Sequence, residues 1–362
     1  MIDLDNVPEL KRIDTQDFFS HLESFPEQVQ IARGIGREVQ DLPSGEGLNS
    51  IAVLGMGGSA ISGDVLRAAM GPASPLAVTT VRGYELPAWV GPNTLAFVAT
   101  YSGRTEETLE SFGSARERGA RIVVVSAADL SGEAGAGQAR FASAVIPGGL
   151  QPRAALGYLS IPMLVVCERL GLGAFDADID ESLELLDRRR QEYRRESALG
   201  QNPAKQLALR LAGTLPIVYG SEGIAEVAAY RWKCQFNECA KTPSYHNTFT
   251  ELGHNELAGW SQLGQLTKAG LSLVVLRHND EDRRISARID ACCNMIEDHF
   301  KSVHQVAASG KSRLARLLDL CYLGDFTAAY LGLAQGVDPG PIEAIEALKT
   351  QVSGGGLPAI VL

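Results

Sequence analysis

Short apolar runs alternate with longer segments of mixed polarity in the first half of the chain. The runs predict buried strands at residues 51–54, 76–81, 94–99, 121–126 and 144–146. The segments between them have apolar residues on one side of a helix, as Leu109, Phe112 and Ala115 do within residues 105–118. This alternation of strand and helix signals predicts an α/β fold in which a parallel sheet carries helices on both faces.

The second half of the chain repeats this outline without repeating the sequence. Three further strands are predicted, at residues 215–219, 271–276 and 302–306. A glycine-containing turn follows the first of them, and residues 224–238 then predict a helix. After the second strand, Asn279 and Asp280 predict the cap of another long helix. We therefore expect two similar α/β domains that face each other across a ligand cleft.

These signals divide the chain into five parts. Residues 1–48 are an N-terminal helical extension, residues 49–170 a first domain, and residues 171–200 a connecting helix. Residues 201–336 are a second domain, and residues 337–362 are a C-terminal helix and tail, with the helix predicted at residues 341–351. The connecting helix is heavily charged with a narrow apolar stripe, so we expect its charges to form a solvated face.

The composition is that of an acidic globular protein. The net charge of −10 over 362 residues argues against a general nucleic-acid-binding protein, because no basic stripe is present. No apolar run approaches the ~20 residues that a membrane span needs, and no signal peptide is visible. The six cysteines lack paired CxxC spacing, which predicts reduced thiols and a cytoplasmic protein.

A glycine-rich turn follows the first predicted strand. Gly55, Gly57 and Gly58 allow a tight turn, and the helix signal begins at Ser59. Unpaired N–H groups at a helix start bind anions. The same residues also fit a dinucleotide fingerprint, but that motif needs an acidic residue after the second strand, where this chain has Arg82. The NAD hypothesis is therefore weakened, and only NADP stays open.

A second hydroxyl-rich turn follows the third predicted strand. Thr100, Ser102 and Thr105 surround Gly103 at the start of the next helix signal. Because this strand and the first lie side by side in such sheets, the two turns together predict a phosphate site. The alternative is an ordinary capping box, in which Ser102 or Thr105 works with a following glutamate.

Two residues outside these turns are candidates for charge stabilisation and base chemistry. Arg153 lies in a loop rich in proline and glycine, where it could bind an oxyanion or be an ordinary surface arginine. Glu238 ends an apolar helix, and partial burial there would raise its pKa and suit a general base. The alternative is a structural ion pair between Glu238 and Lys233 or Lys241.

A histidine in a glycine-flanked segment completes the candidate chemistry. His254 lies in the segment GHNELAGW and is placed for proton transfer. A metal site is disfavoured because the histidines are dispersed and no HExxH motif occurs. A serine hydrolase is also disfavoured, since the chain has no GxSxG motif.

Six sequence blocks together resemble the bifunctional phosphoglucose/phosphomannose isomerases, which are built from two sugar-isomerase (SIS) domains. The blocks are GMGGSAISGD, TYSGRTEET, PGGLQPRAALGY, the NE of FNECAKTP, GHNELAGW and GVDPGPIEAIEALK. They cover most of the chain from residue 51 onward. The resemblance implies two SIS-type domains, each a parallel sheet flanked by helices. It also implies a dimeric aldose–ketose isomerase acting on glucose, mannose and fructose 6-phosphates with no metal or other cofactor.

The resemblance further implies roles for individual residues. Glu238 would move a proton between C2 and C1 through a cis-enediol, and Arg153 would stabilise the enediolate and hold Glu238. His254 and Lys349 would open the pyranose ring, with the histidine reaching in from the partner subunit. The 6-phosphate would be bound by Gly57, Gly58, Ser59, Thr100, Ser102 and Thr105.

The sequence departs from the usual family pattern at several positions, none of which is a proposed acid, base or cation. These positions are Thr100, Arg104, Cys239, Gly253 and Gly340. We expect them to affect the relative rates with mannose and glucose substrates. A non-catalytic SIS module that binds sugar phosphates is the alternative function. It would need the phosphate turns but would have no use for Glu238, His254 and Lys349 together.

Overall fold

The computed structural model describes residues 1–128, 130 and 141–354, and within them it contains two parallel sheets. The first five strands are β1 Ser50–Leu54, β2 Ala77–Val81, β3 Thr94–Thr100, β4 Arg121–Ser126 and β5 Ala142–Val145. The other four are β6 Leu215–Gly220, β7 Tyr245–Thr248, β8 Leu271–Arg277 and β9 Ser302–Ala307. The predicted α/β architecture with two parallel sheets is confirmed.

Helices precede, connect and cover the strands. Those of the first half are α1 Val7–Ile13, α2 Phe18–Glu23, α3 Phe25–Glu38, α4 Gly57–Met70, α5 Glu106–Glu117, α6 Leu156–Arg169 and α7 Asp176–Tyr193. Those of the second half are α8 Pro203–Leu211, α9 Ile224–Cys239, α10 Phe249–Leu252, α11 Glu256–Gly259, α12 Gly264–Gly270, α13 Arg283–Ile296, α14 Arg313–Ala334 and α15 Glu343–Gly354.

The two sheets have corresponding strand orders. The first is β2-β1-β3-β4-β5 and the second is β7-β6-β8-β9, with every pair parallel. The order reverses beside β1 in one sheet and beside β6 in the other, and ligands of such sheets bind beyond the carboxyl ends of the strands at these points. Both glycine turns of the sequence leave their strands at such a point.

One apolar core joins the two sheets. It contains Val53 from β1, Val218 from β6 and much of α14, all buried. Each sheet has a second, smaller core on its outer face, built around Phe112 of α5 in the first sheet and Ile289 of α13 in the second. Because the shared core holds the sheets against each other, loops of one half reach residues of the other.

Helix α14 is long and apolar enough to cross a membrane by length and composition, and it is the one helix of the described residues that is. However, 94% of its most apolar window is buried inside the protein. Its residues pack against α9, α7 and α8. We therefore interpret its apolar composition as that of a central core helix.

Three details differ from the sequence-based expectation. Strand β7 was not predicted, because its residues YHNT are polar and lie at an exposed sheet edge. The cap of α13 is Asp282, whose side chain accepts from the Arg284 N–H, and not Asn279 or Asp280. The last helix begins at Glu343, two residues after Pro341. All six cysteines are free thiols, as predicted.

Candidate active site

The first glycine turn leaves donors at the start of α4 without a side-chain cap. Helix α4 begins at Gly57, and the preceding Met56 offers no capping hydrogen bond. A side chain at Gly55 would approach the Ala99 carbonyl oxygen to 2.8 Å, and Gly57 has a φ of +52°. Glycine is therefore needed at both positions. Because no side chain caps this helix start, its first N–H groups are candidates for binding an anion.

The second turn presents hydroxyl groups at the end of β3. Thr100 is buried, and its Oγ1 accepts from the Gly103 N–H at 3.2 Å. The Ser102 Oγ accepts from the Arg104 N–H at 3.3 Å. Thr105 precedes α5, but its side chain makes no capping hydrogen bond. The capping-box alternative is therefore not observed at Thr105.

A direct hydrogen bond joins the two turns. The Tyr101 N–H donates to Ser59 Oγ at 3.2 Å, and β1 and β3 are neighbours in the sheet. The Tyr101 hydroxyl then donates to the Pro147 carbonyl at 3.1 Å and accepts from the Leu150 N–H at 2.8 Å. The two turns and the loop that leads to Arg153 are thus one connected structure.

Arg153 lies directly against the first turn. A Cβ at Gly58 would lie 2.9 Å from the Pro152 carbonyl and 3.0 Å from the Arg153 nitrogen. The Arg153 residue is only 3% exposed, which excludes the alternative of an ordinary surface arginine. Its guanidinium stacks over the Phe18 ring at 4.9 Å. The absence of a side chain at Gly58 is what lets the arginine loop approach the turn so closely.

The Arg153 guanidinium crosses from the first half of the chain to the second. Its Nη1 lies 3.6 Å from Oε2 of Glu238, and its Nη2 donates to the Pro339 carbonyl at 2.9 Å. Nη2 also donates to the Gly340 carbonyl. Among the described residues, the buried Nε and Nη1 have no hydrogen-bond partner. A buried donor without an acceptor costs free energy, so these two groups are suited to a bound oxygen.

A buried polar cluster that the sequence did not reveal supports Arg153 from behind. Arg231 donates to both carboxylate oxygens of Asp325 at 2.8 and 2.7 Å, and also to the Arg153 carbonyl at 2.8 Å. Gln235 donates to Asp325 at 2.8 Å. Burial raises the pKa of Asp325, while Arg231 opposes that rise. Both helices carry other charged residues as well, so no signal in the sequence singled out Arg231 or Asp325.

Glu238 lies at the end of α9 with its side chain 25% exposed. It borders a cavity of about 850 Å³ between the end of α9 and the start of α15. Its carboxylate pairs with Arg153, whereas the Lys241 ammonium donates to the main-chain carbonyl of Glu238. The alternative of a structural ion pair with Lys233 or Lys241 is therefore not what the structure contains.

His254 and Lys349 are not brought to Glu238 within this chain. Both residues are exposed, and no hydrogen bond or ion pair of the described residues links either to Glu238 or Arg153. His254 lies between α10 and α11, where Asn247 donates to Glu256 at 2.6 Å and Tyr219 also donates to Glu256. These bonds fix the loop to the second sheet and leave the imidazole on the outside.

The NADP hypothesis depended on Arg82, and this side chain is already bound to other residues of the protein. Arg82 forms an ion pair with Asp64 and lies over the Tyr230 ring at 5.4 Å. Its guanidinium is therefore engaged within the protein. Among the described residues, no group of three or more His, Cys, Asp or Glu side chains could hold a metal ion.

Comparison with known proteins finds relatives of this chain. Residues 200–352 match the family described as bacterial phospho-glucose isomerase C-terminal SIS domain. The bifunctional phosphoglucose/phosphomannose isomerase of Caldicellulosiruptor bescii is 38% identical, over 92% of this chain and 98% of that protein. That of Thermoplasma acidophilum is 32% identical, over 92% and 99%. A glucose-6-phosphate isomerase-like protein from Thermus thermophilus has a similar fold, with a TM-score of 0.60 at 22% identity over 96% and 99% of the two chains.

Proposed function

Because the chain belongs to the bifunctional phosphoglucose/phosphomannose isomerase family, we propose that it interconverts glucose 6-phosphate and mannose 6-phosphate with fructose 6-phosphate. It is an enzyme, a sugar-phosphate isomerase with the SIS fold. The observation that carries the proposal is the contact of 3.6 Å between Arg153 and Glu238. This contact places a carboxylate of the second half beside a cation that packs on the phosphate turns of the first half.

In this proposal the two turns of the first sheet bind the 6-phosphate. The backbone N–H groups at Gly57 and Gly58 supply donors at a helix start. The hydroxyls of Ser59, Thr100, Ser102 and Thr105 lie around the same sheet edge, and Ser59 and Thr100 are buried there. Binding the phosphate tethers the rest of the sugar, which raises the effective concentration of its reacting carbons at the base.

Glu238 is then the base that moves a proton between C2 and C1. Removal of the proton next to a carbonyl gives an enediolate, whose negative oxygen needs a cation. Within the described chain, Arg153 has two buried donors without a hydrogen-bond partner, Nε and Nη1, and Nη1 lies 3.6 Å from the carboxylate. A proton then moves from the C2 oxygen to the C1 oxygen, so that returning the carbon-bound proton to C1 leaves the carbonyl at C2. This completes the isomerisation without any cofactor or metal.

Ring opening is assigned to His254 and Lys349, and this part of the proposal needs a second subunit. Both side chains are exposed in the single chain, and His254 lies on a loop anchored from behind by Glu256. A homodimer would let the histidine of one subunit reach Glu238 of the other. We expect a cytoplasmic dimer that binds hexose 6-phosphates and neither nucleic acid nor membrane.

The same proposal assigns a task to each part of the chain. The first domain, residues 49–170, binds phosphate, and the second, residues 201–336, supplies the base. The extension of residues 1–48 and the connecting helix within residues 171–200 pack the two domains together, since α3 packs on α6 and α7 packs on α14. Residues 337–362 carry Lys349.

The test is isomerisation by the wild type and by Glu238→Gln. Coupled assays should detect fructose 6-phosphate from both glucose 6-phosphate and mannose 6-phosphate with the wild type. Glu238→Gln keeps the shape of the side chain but removes the base, so the rate should fall by about 10²–10⁴-fold, together with solvent-proton exchange at the substrate carbon. Sugar-phosphate binding should persist. Wild-type rates in this variant would contradict the mechanism, and an inactive wild type that still binds sugar phosphate would favour the non-catalytic module.

A further inference from the structure

The cavity beside Glu238 extends beyond the residues assigned above. Its volume is about 850 Å³, and its lining includes Lys233, Glu238, Lys241 and Asp338. None of the proposed phosphate-binding residues belongs to this lining. If the phosphate is bound at the first sheet and C1–C2 lie at Glu238, the cavity adjoins the reacting end of the sugar. A polar side chain directly beside Glu238 would therefore meet sugar oxygens rather than phosphate.

Lys241 has a backbone conformation that lysine rarely adopts. Its φ is +51°, in the left-handed region. It follows Ala240, the C-cap residue of α9. The N–H groups of Ala240 and Thr242 both donate to the Phe236 carbonyl. Glycine is the usual residue at this position of a helix end. A side chain here costs about 1 kcal/mol, so a lysine is not explained by the helix ending alone.

The left-handed backbone turns the Lys241 side chain back along the helix. Its Nζ donates to the main-chain carbonyl of Glu238 at 2.5 Å. An ammonium group has three donor hydrogens, and among the described residues this is the hydrogen bond recorded for it. Desolvation, with Arg153 nearby, lowers the pKa of Lys241, while Cys239, Asp338 and Glu238 oppose that change. Lys241 is an exposed residue that lines the cavity, and its ammonium lies against the main chain of Glu238 with donors available.

We propose that Lys241 binds an oxygen at the C1–C2 end of the open sugar and places the reacting carbon beside the Glu238 carboxylate. This inference rests on the proposed isomerase function. Arg153, from the first half of the chain, and Lys241, from the end of α9, would then both act beside the base. The Lys241 contact would be made to sugar oxygen and would be independent of the phosphate.

The competing explanation is that Lys241 only stabilises the carboxyl end of α9, where a cation favours the helix dipole. Lys241→Gly separates the two. Glycine fits the left-handed backbone without strain, so folding should be retained or improved while the ammonium is lost. Loss of one hydrogen bond from a charged group should lower kcat/KM for fructose 6-phosphate by roughly 10- to 100-fold, with the melting temperature unchanged or higher.

Two further variants complete the experiment. Lys241→Arg retains the positive charge and should recover part of the lost kcat/KM. Lys233→Met removes the other lysine of the cavity lining and should leave kcat/KM within about twofold of the wild type. Wild-type kcat/KM in Lys241→Gly, or an equal loss in Lys241→Gly and Lys233→Met, would overturn the inference. An inactive wild type would contradict the proposed function itself, whereas an active wild type with unaffected Lys241→Gly contradicts this inference alone.

Discussion

The two sheets of this protein have corresponding strand orders, but the helices that follow their strands are capped differently. In each sheet the strand at the reversal point runs into a glycine turn and a helix, α4 after β1 and α9 after β6. In each, a further helix follows the neighbouring strand, α5 after β3 and α13 after β8. The backbone plan that can bind an anion is therefore present twice.

In the second sheet, carboxylates of the chain itself accept hydrogen bonds from N–H groups at the two helix starts. Glu226 accepts from the Gly223 N–H at 3.1 Å, and Asp282 accepts from the Arg284 N–H at 2.8 Å. In the first sheet, the side chains of Met56 and Thr105 cap neither helix. Since a helix start accommodates one anion at a time, this difference supports the proposal that the ligand binds at the first sheet and not at the second.

Among the changes that test this comparison, the largest effect should come from adding a side chain at Gly58, beside the first turn. In Gly58→Ala, the new Cβ would lie 2.9 Å from Pro152 and 3.0 Å from the Arg153 nitrogen, both backbone contacts. The Arg153 loop must therefore move, and displacing a catalytic group by about 1 Å can cost roughly 10²-fold in rate. We expect a loss of that order in kcat/KM for fructose 6-phosphate, measured in the coupled assay.

The matched control is Gly113→Ala in α5 of the same domain. Within the part of the chain that the structure describes, no atom outside the neighbouring backbone of α5 lies within 4 Å of a Cβ at Gly113. Alanine is a better helix former than glycine, so this variant should fold at least as well and keep its activity. Equal activity of Gly58→Ala and Gly113→Ala would mean that the Arg153 loop does not depend on the first turn.

A smaller effect, on stability alone, should follow from removing the carboxylate that binds the glycine turn between β6 and α9. Glu226→Ala loses the hydrogen bond to the Gly223 N–H and the ion pair with Arg67 at 3.4 Å. The helix start then lacks its cap, which should cost about 1 kcal/mol of unfolding free energy. Chemical denaturation measures this loss, with the exposed Glu222→Ala as a control that should leave stability unchanged. A raised KM for fructose 6-phosphate in Glu226→Ala would contradict the division between the two sheets.

Much of the fold could be predicted because buried strands and helices have simple hydrophobic patterns. The strands at the centre of each sheet are buried and apolar, so they were found within one or two residues. Strand β7 was missed because an exposed edge strand needs no apolar run. The difference in capping between the two glycine turns was also missed, because it depends on which side chain meets which N–H group.

The candidate site was predictable only in part, and for a related reason. Glu238 and Arg153 are polar residues in unusual local contexts, which made them candidates, but only the family resemblance implied their contact across the two halves. Arg231 and Asp325 support Arg153 through contacts between distant helices, which no local pattern encodes. Lys349 lies on an exposed helix, where a lysine is ordinary, so only the family resemblance singled it out.

The most direct test of the account is the KM for fructose 6-phosphate in two matched serine variants. Ser59 and Ser221 are both buried and occupy corresponding turns of the two sheets. Lost phosphate contact removes ground-state binding and raises KM, so Ser59→Ala should raise KM by about tenfold, whereas Ser221→Ala should leave it within about twofold. Equal KM values in the two variants, or a larger rise in Ser221→Ala, would contradict the claim that the first sheet alone binds the phosphate.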